Sequence, residues 1–237
     1  MSASCLTQLG FGFVIVRSKR KSAAIHVRGA KVEVRIPDFV DDQWAQEFLL
    51  SKQAWVRQKL AQQAKQHAMK PVLAQGQKIL WLGFQRTITL HSHKSVELGE
   101  SVIALGNGRS VPDKAQHACV IQSVLEGFFK QQAKAYMIPR TWELARLYGL
   151  DHKLVDVVFR RTKTKWGHCT STGRIQYNWL IMGAPKAVID YLICHEVSHL
   201  RHPHHGPAFW RCVAQFCPDY KRHQVWLREN SVALSWC

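Results

Sequence analysis

Residues 195–210 read His195-Glu196-Val197-Ser198-His199-Leu200-Arg201-His202-Pro203-His204-His205-Gly206-Pro207-Ala208-Phe209-Trp210, and the chain is organised around them. The first five residues are an H-E-x-x-H pattern, in which two histidines on a helix bind zinc. In an α-helix, residues four apart lie about 40° apart around the axis and one turn apart along it. His195 and His199 can therefore present two imidazole nitrogens to one ion about 2.0–2.1 Å from each. Glu196 lies about 100° round the helix from His195, too far to join them comfortably as a ligand. It is well placed to reach a water on the metal, as a general base must.

A catalytic zinc needs a third protein ligand and an open position. His202 shares the helical stripe but lies about 10 Å along the axis from His195, so one ion cannot take it together with His195 and His199. The third ligand is expected from chain that has left the helix and turned back. Pro203 supplies the break, because proline disfavours helix in the residue before it. His204 or His205 then becomes the candidate, with His205, six residues after His199, favoured. Gly206-Pro207 starts a new helix with proline at its first position. A lone H-E-x-x-H occurs by chance in many helices; its combination with a helix breaker and further histidines is what points to zinc. His202 reads as a last-turn histidine favoured by the helix dipole.

Upstream, Pro185 is expected to open the metal helix, with Val188, Ile189, Leu192 and Ile193 as its apolar face. Before it stand two expected strands, from Leu154 to about Arg161 and from Arg174 to Leu180, joined by a loop over 162–171. Arg160, Arg161, Lys163 and Lys165 crowd positive charge into six residues of this segment. Such charge suits an acidic substrate or a developing oxyanion. Trp166 reads as a structural plug, and His168 as a candidate proton donor to a leaving group. Downstream, helices are expected from Pro207 to about Phe216 and after the segment 217–220.

The first half reads differently. Segments 12–16, 24–27 and 31–36 read as strands, the last two alternating around Arg28-Gly29-Ala30 as a hairpin does. One helix is expected from Asp41 to about Gln66, capped near Asp41 or Asp42. Short strands follow at 79–82, 87–90 and 102–105, punctuated by glycines. After Pro112-Asp113 a long helix runs toward Tyr136, and Pro139 is expected to start another that ends at Gly149. A soft boundary near 106–112 divides a strand-rich N-terminal portion, 1–110, from a metal-binding portion, 111–237, within one continuous domain.

At 237 residues, 46% hydrophobic and with nine tryptophans, the chain can bury a substantial core. No stretch approaches the roughly 20 apolar residues that span a bilayer. The apolar run 11–16 precedes the basic cluster 17–21 instead of following it, unlike a signal peptide. A cytoplasmic location is the default expectation, and a membrane partner is not. The seven cysteines show no C-x-x-C and no scaffold spacing, so Cys194 and Cys212 are expected in the core as thiols. A formal charge of +17 predicts attraction to polyanions, whether acidic substrates, nucleotides or nucleic acid, yet no recognisable nucleic-acid module is present.

With loop and metal helix both in view, the sequence resembles the YgjP-like metallopeptidase family, a zincin group similar to SprT-like proteins. That family carries R-x-M-K-T-R-W-G-S-C, then I-x-L-N, then a proline-led helix with Y-x-x-x-H-E-x-x-H-L. Arg160, Lys163, Thr164, Trp166, Gly167 and Cys169 match the first segment; Ile175 and Asn178 match the second. Pro185, Tyr191, His195, Glu196, His199 and Leu200 match the third, and the family's later histidine and phenylalanine fall on His205 and Phe209. Thr162, Lys165 and His168 depart from the family's methionine, arginine and serine. Lysine keeps the charge of arginine but loses its bidentate fork. The resemblance implies an α+β, zincin-like fold and a zinc site of His195, His199 and His205 with Glu196 catalytic. Arg160, Lys163, Lys165 and His168 are the candidate substrate-binding residues.

The function expected first is a zinc-dependent metallopeptidase, with a metal-activated water and a glutamate general base. The second is a metal-dependent pyrophosphohydrolase of nucleoside triphosphates, which the basic loop would suit, though no glycine-rich phosphate cradle is visible. The third is a non-catalytic, zinc-stabilised adaptor that binds nucleic acid. Glu196 argues against the adaptor, because a purely structural site has no need of a general base.

Overall fold

The structure is a computed structural model, and it describes residues 9–93, 95–106 and 114–236, the side chains of 114–117 excepted. The fold is α+β, and the chain divides into two compact units, residues 1–69 and 70–237. Most of the boundary expected at 106–112 lies outside the described residues.

Among its described residues the first unit holds the strands β1 (Phe13–Ser18), β2 (Ala24–Arg28) and β3 (Lys31–Pro37), in the order β1-β3-β2. β2 and β3 form the expected antiparallel hairpin, with Val27 opposite Val32 and the turn made by Gly29 at φ 59°. β1 runs parallel to β3, which alternation within a single strand cannot foretell. Val32, Val34 and Ile36 alternate into a small core with Ala45, Leu49 and Val56. Those three come from α1 (Asp42–Ser51) and α2 (Gln53–Ala68), a pair where one continuous helix was expected. Asp41 does cap α1, its carboxylate accepting from the N–H of Trp44 at 2.7 Å. The break follows because the Ser51 hydroxyl bonds back to the Phe48 carbonyl at 2.8 Å, and Lys52 then leaves the helical region at φ −110°, ψ 9°.

The second unit opens with β4 (Lys78–Trp81), β5 (Phe84–His91), β6 (Val96–Leu98) and β7 (Val102–Gly106), in the order β4-β5-β7-β6. A second sheet, β8 (Asp156–Phe159), β9 (Gly167–Cys169) and β10 (Arg174–Tyr177), has the order β8-β10-β9. β9 lies inside the segment expected to be loop. It forms because β10 offers it an antiparallel edge, pairing Ile175 with Cys169 and Tyr177 with Gly167.

Among the described residues the unit also holds the helices α3 (Lys114–Leu147), α4 (Lys186–Ser198), α5 (Pro207–Phe216) and α6 (Tyr220–Leu234). α3 runs unbroken through Pro139, where two helices were expected. An interior proline costs about 3 kcal/mol. Burial of Met137 and Leu144 in the surrounding turns contributes about 1.5–3 kcal/mol each, so packing outweighs the lost hydrogen bond. Gly149, at φ 66°, closes the helix as expected, and the Leu150 N–H reaches back to the Ala145 carbonyl at 2.8 Å.

α4 sits in the core of this unit and is buried on nearly every side. Tyr136 of α3 donates to Asp190 of α4 at 2.6 Å, and Tyr148 meets Cys194 at 2.9 Å. Behind them Phe129, Trp179 and Trp236 pack ring against ring. Cys194 and Cys212 are buried free thiols, as expected. No helix among the described residues is long and apolar enough to cross a membrane.

Candidate metal centre

α4 carries an apolar body and ends in chemistry. Pro185 precedes its first turn, and Val188, Ile189, Leu192 and Ile193 are buried as expected. The helix stops at Ser198, before Pro203, and the chain continues in tight turns that bond the N–H groups of Arg201 and His202 to the Ser198 carbonyl. The Gly206 N–H then bonds to the His204 carbonyl at 2.8 Å, which reverses the chain into α5. This reversal swings residue 205 back over the helix.

His195, His199 and His205 come together, each offering a ring nitrogen within 4.8 Å of the others. The Nε2 atoms of His205 and His195 are 3.1 Å apart. Nitrogens each 2.0–2.1 Å from one tetrahedral ion stand about 3.3 Å apart, so the observed spacing needs little adjustment to hold zinc. His199 points its Nδ1 at the carbonyl of His202 at 3.0 Å. A carbonyl only accepts, so that nitrogen carries the proton and Nε2 is left bare for a metal. His202 thus serves through its backbone. Neither His202 nor His204 joins the cluster of ring nitrogens.

Phe209, fully buried on α5, touches all three imidazoles at centroid distances of 4.9, 4.5 and 4.8 Å. Trp210 stacks on His205 at 5.6 Å and is itself stacked on Tyr220 at 5.2 Å. The exposed third histidine is held by an aromatic ladder. Burial and the neighbouring rings push the imidazolium of His195 down to about 3, and burial pushes that of His199 down as well. Both are neutral near pH 7, the form that binds a metal.

Glu196 is 4% exposed, and its Oε2 has no hydrogen-bond partner among the described residues. Burial pushes its carboxyl up to about 8, against the opposing pull of the Lys165 charge and the backbone N–H of Cys169. A buried carboxyl with one orphaned oxygen, lining the same cavity as three converging imidazoles, fits a metal with a water to activate. β9 presses on this carboxyl from the other side. A Cβ at Gly167 would come within 2.6 Å of the Glu196 Cδ, so glycine is required by the close approach. Gly167→Ala is therefore expected to displace the carboxylate and lower hydrolysis at least about tenfold, the effect of a misplaced base. Metal content should be unchanged. Kinetics and metal analysis on one preparation check both halves.

A cavity of about 760 Å³ opens over the cluster, walled by β9 and its following turn, the C-terminal half of α4, and Pro203, His205 and Leu227. Lys165 and His168 line it. Arg160 and Lys163 do not; they stand outside its walls. Arg161 is tied to Glu126 at 3.3 Å and to the Trp236 carbonyl. Trp166 is half-buried against the core, its indole N–H donating to Ser231 at 3.2 Å, and one face lines the cavity. The aromatic ladder of Trp210 and Tyr220 and the lining lysine Lys153 were not foreseen. Lys153 sits in a 3-10 turn before β8, outside every motif, and the fold brings it to the cavity.

The profile of the family described as YgjP-like, metallopeptidase domain, matches residues 21–230. No curated protein matches the sequence. A solved structure, the metallopeptidase zymogen of Pyrococcus abyssi abylysin, is similar over 39% of this chain and 93% of that one. Its identity to this chain is 18% and the TM-score 0.36.

Proposed function

The chain belongs to the YgjP-like metallopeptidase family, and from that premise we propose that it is a zinc-dependent hydrolase that cleaves peptides. The observation that carries the proposal is the convergence of three imidazoles beside a buried carboxyl with an unpartnered oxygen. His195, His199 and His205 would hold the zinc, and Glu196 would act as the general base. A zinc bound there supplies Lewis acidity and brings the pKa of a coordinated water toward about 7.

The remaining steps belong to the chain's own residues. The orphaned Oε2 of Glu196 is the atom that takes up a proton from the water and later yields it to the leaving amine. The Cys169 N–H on β9 favours the charged form of the same carboxyl. Burial favours the protonated form of Glu196, which makes the proton easy to accept once water gives it up. His168 and Lys165, on the cavity wall, are the groups we assign to the substrate, with Arg160 and Lys163 adding positive potential from outside it.

The test is direct. Purified protein is expected to carry about one zinc per chain and to cleave a mixed pool of unstructured peptides. Dialysis against a strong chelator should abolish cleavage, and stoichiometric zinc should restore it. Wild-type protein free of zinc after metal-replete expression would refute the metal assignment. A zinc-loaded protein that cleaves nucleoside triphosphates and no peptide would move the reading to the pyrophosphohydrolase.

A further inference from the structure

The cations of the second unit fall into two groups. Several are paired: Arg174 with Asp156 at 2.7 Å, Arg140 with Glu143 at 2.7 Å, and Arg161 with Glu126 at 3.3 Å. Lys153 and Lys165 have no ion pair among the described residues, are exposed, and both line the cavity over the histidines. Among the described residues, the only carboxyl lining the cavity is Glu196, and it is buried. A concave wall with two open ammonium groups and one recessed acid focuses positive potential onto whatever enters it.

The two lysines stand at opposite ends of β9. Lys165 precedes the strand by two residues. Lys153 lies beside the turn that follows it, its carbonyl against Gly173 and the Val155 N–H bonded to the Gly173 carbonyl at 2.9 Å. From Lys165 to Thr170 the backbone covers roughly 16 Å at about 3.3 Å per residue. The zinc cluster and Glu196 face the strand between these ends, and the Gly167 backbone touches the Glu196 carboxyl.

Phosphate chains are gripped differently, by backbone N–H groups of a glycine-rich loop or a helix N-terminus. The cavity walls contain neither: α4 contributes its C-terminal half, and α6 only Leu227. Separated lysines instead match charges spaced along an extended chain.

Resting on the peptidase reading above, we propose that the cleft selects peptides with acidic side chains on both sides of the bond to be cut, and that Lys153 and Lys165 do the selecting. Each ammonium meets a carboxylate at one end of the cleft, so the bond between them lies over Glu196 and the three histidines.

Binding tests this apart from catalysis. Zinc-loaded Glu196→Gln protein is titrated with three labelled ten-residue peptides sharing an apolar centre, flanked by aspartate and glutamate, by asparagine and glutamine, or by lysine. Fluorescence anisotropy is expected to rank acidic over neutral by about tenfold, with basic weakest, from two partly screened charge pairs. Lys153→Met with Lys165→Met in that background should bring acidic and neutral peptides to near parity. Removing two exposed charges from the first unit, Lys31→Met with Lys65→Met, should leave the ratio unchanged. The proposal is overturned if the acidic preference survives loss of both cleft lysines, or falls equally in the control, since net charge alone would then explain it. It is also overturned if all three peptides bind alike while ATP binds tightly and depends on the two lysines. Wild-type cleavage is scored separately. Peptides cut without regard to charge would refute the selection alone, whereas acidic preference with no peptide ever cut would refute the peptidase reading alone.

Discussion

Glu196→Gln is expected to leave zinc bound and to reduce hydrolysis by roughly 10²–10⁴-fold, the usual range for loss of a positioned general base. Glutamine keeps the size of the side chain and can still accept from the Cys169 N–H, so its neighbours are undisturbed. Being neutral, it also carries none of the desolvation penalty that burial places on the carboxylate. Helix propensities of the two residues are close, so α4 should hold. Melting temperature and zinc content then serve as controls, and the rate as the readout. A variant that loses zinc would make Glu196 a ligand and the division of roles wrong. A variant that keeps both zinc and full activity would hand the base to another group, with His168 on the facing wall the first to examine.

The second large effect concerns the third ligand. His205→Ala should weaken zinc binding by more than 100-fold, beyond the 10–100-fold expected when only an outer partner of a ligand is removed. His204→Ala should change it little, since its ring lies outside the cluster and its carbonyl, which turns the chain, survives the substitution. His202→Ala should likewise be mild, because His199 is oriented by the backbone carbonyl of residue 202. The measurement is competition with a chelating dye at fixed pH. Damage from His204→Ala equal to that from His205→Ala would mean that the turn is read one residue out of register. The exposure of His205 makes this informative: its loss leaves no core cavity, so weakened binding cannot be blamed on unfolding.

How much of this could be read from residues alone follows from the range of the forces involved. Local periodicity announces the pair His195 and His199, because four residues of helix set their spacing whatever surrounds them. Pro203 with Gly206-Pro207 announces a reversal, because backbone restrictions of proline act on immediate neighbours. The Asp41 cap, the Gly29 hairpin and the Gly149 stop are local in the same way.

Where packing competes with local preference, the sequence misleads. Pro139 should have started a new helix, but buried residues on both sides hold α3 together through it. The Ser51 hydroxyl split a helix that apolar spacing made look continuous. β9 has no strand pattern of its own and exists because β10 presents it an edge. That edge then decides the chemistry: it lays Gly167 against Glu196, gives the carboxyl its single backbone donor, and forms one wall of the cavity. The sequence by itself determined the candidate donor set, its spacing and the charge. Only the tertiary structure decided which oxygen of Glu196 stays bare, which aromatics brace His205, and which lysines face the cleft, because each depends on contacts between segments that are distant along the chain.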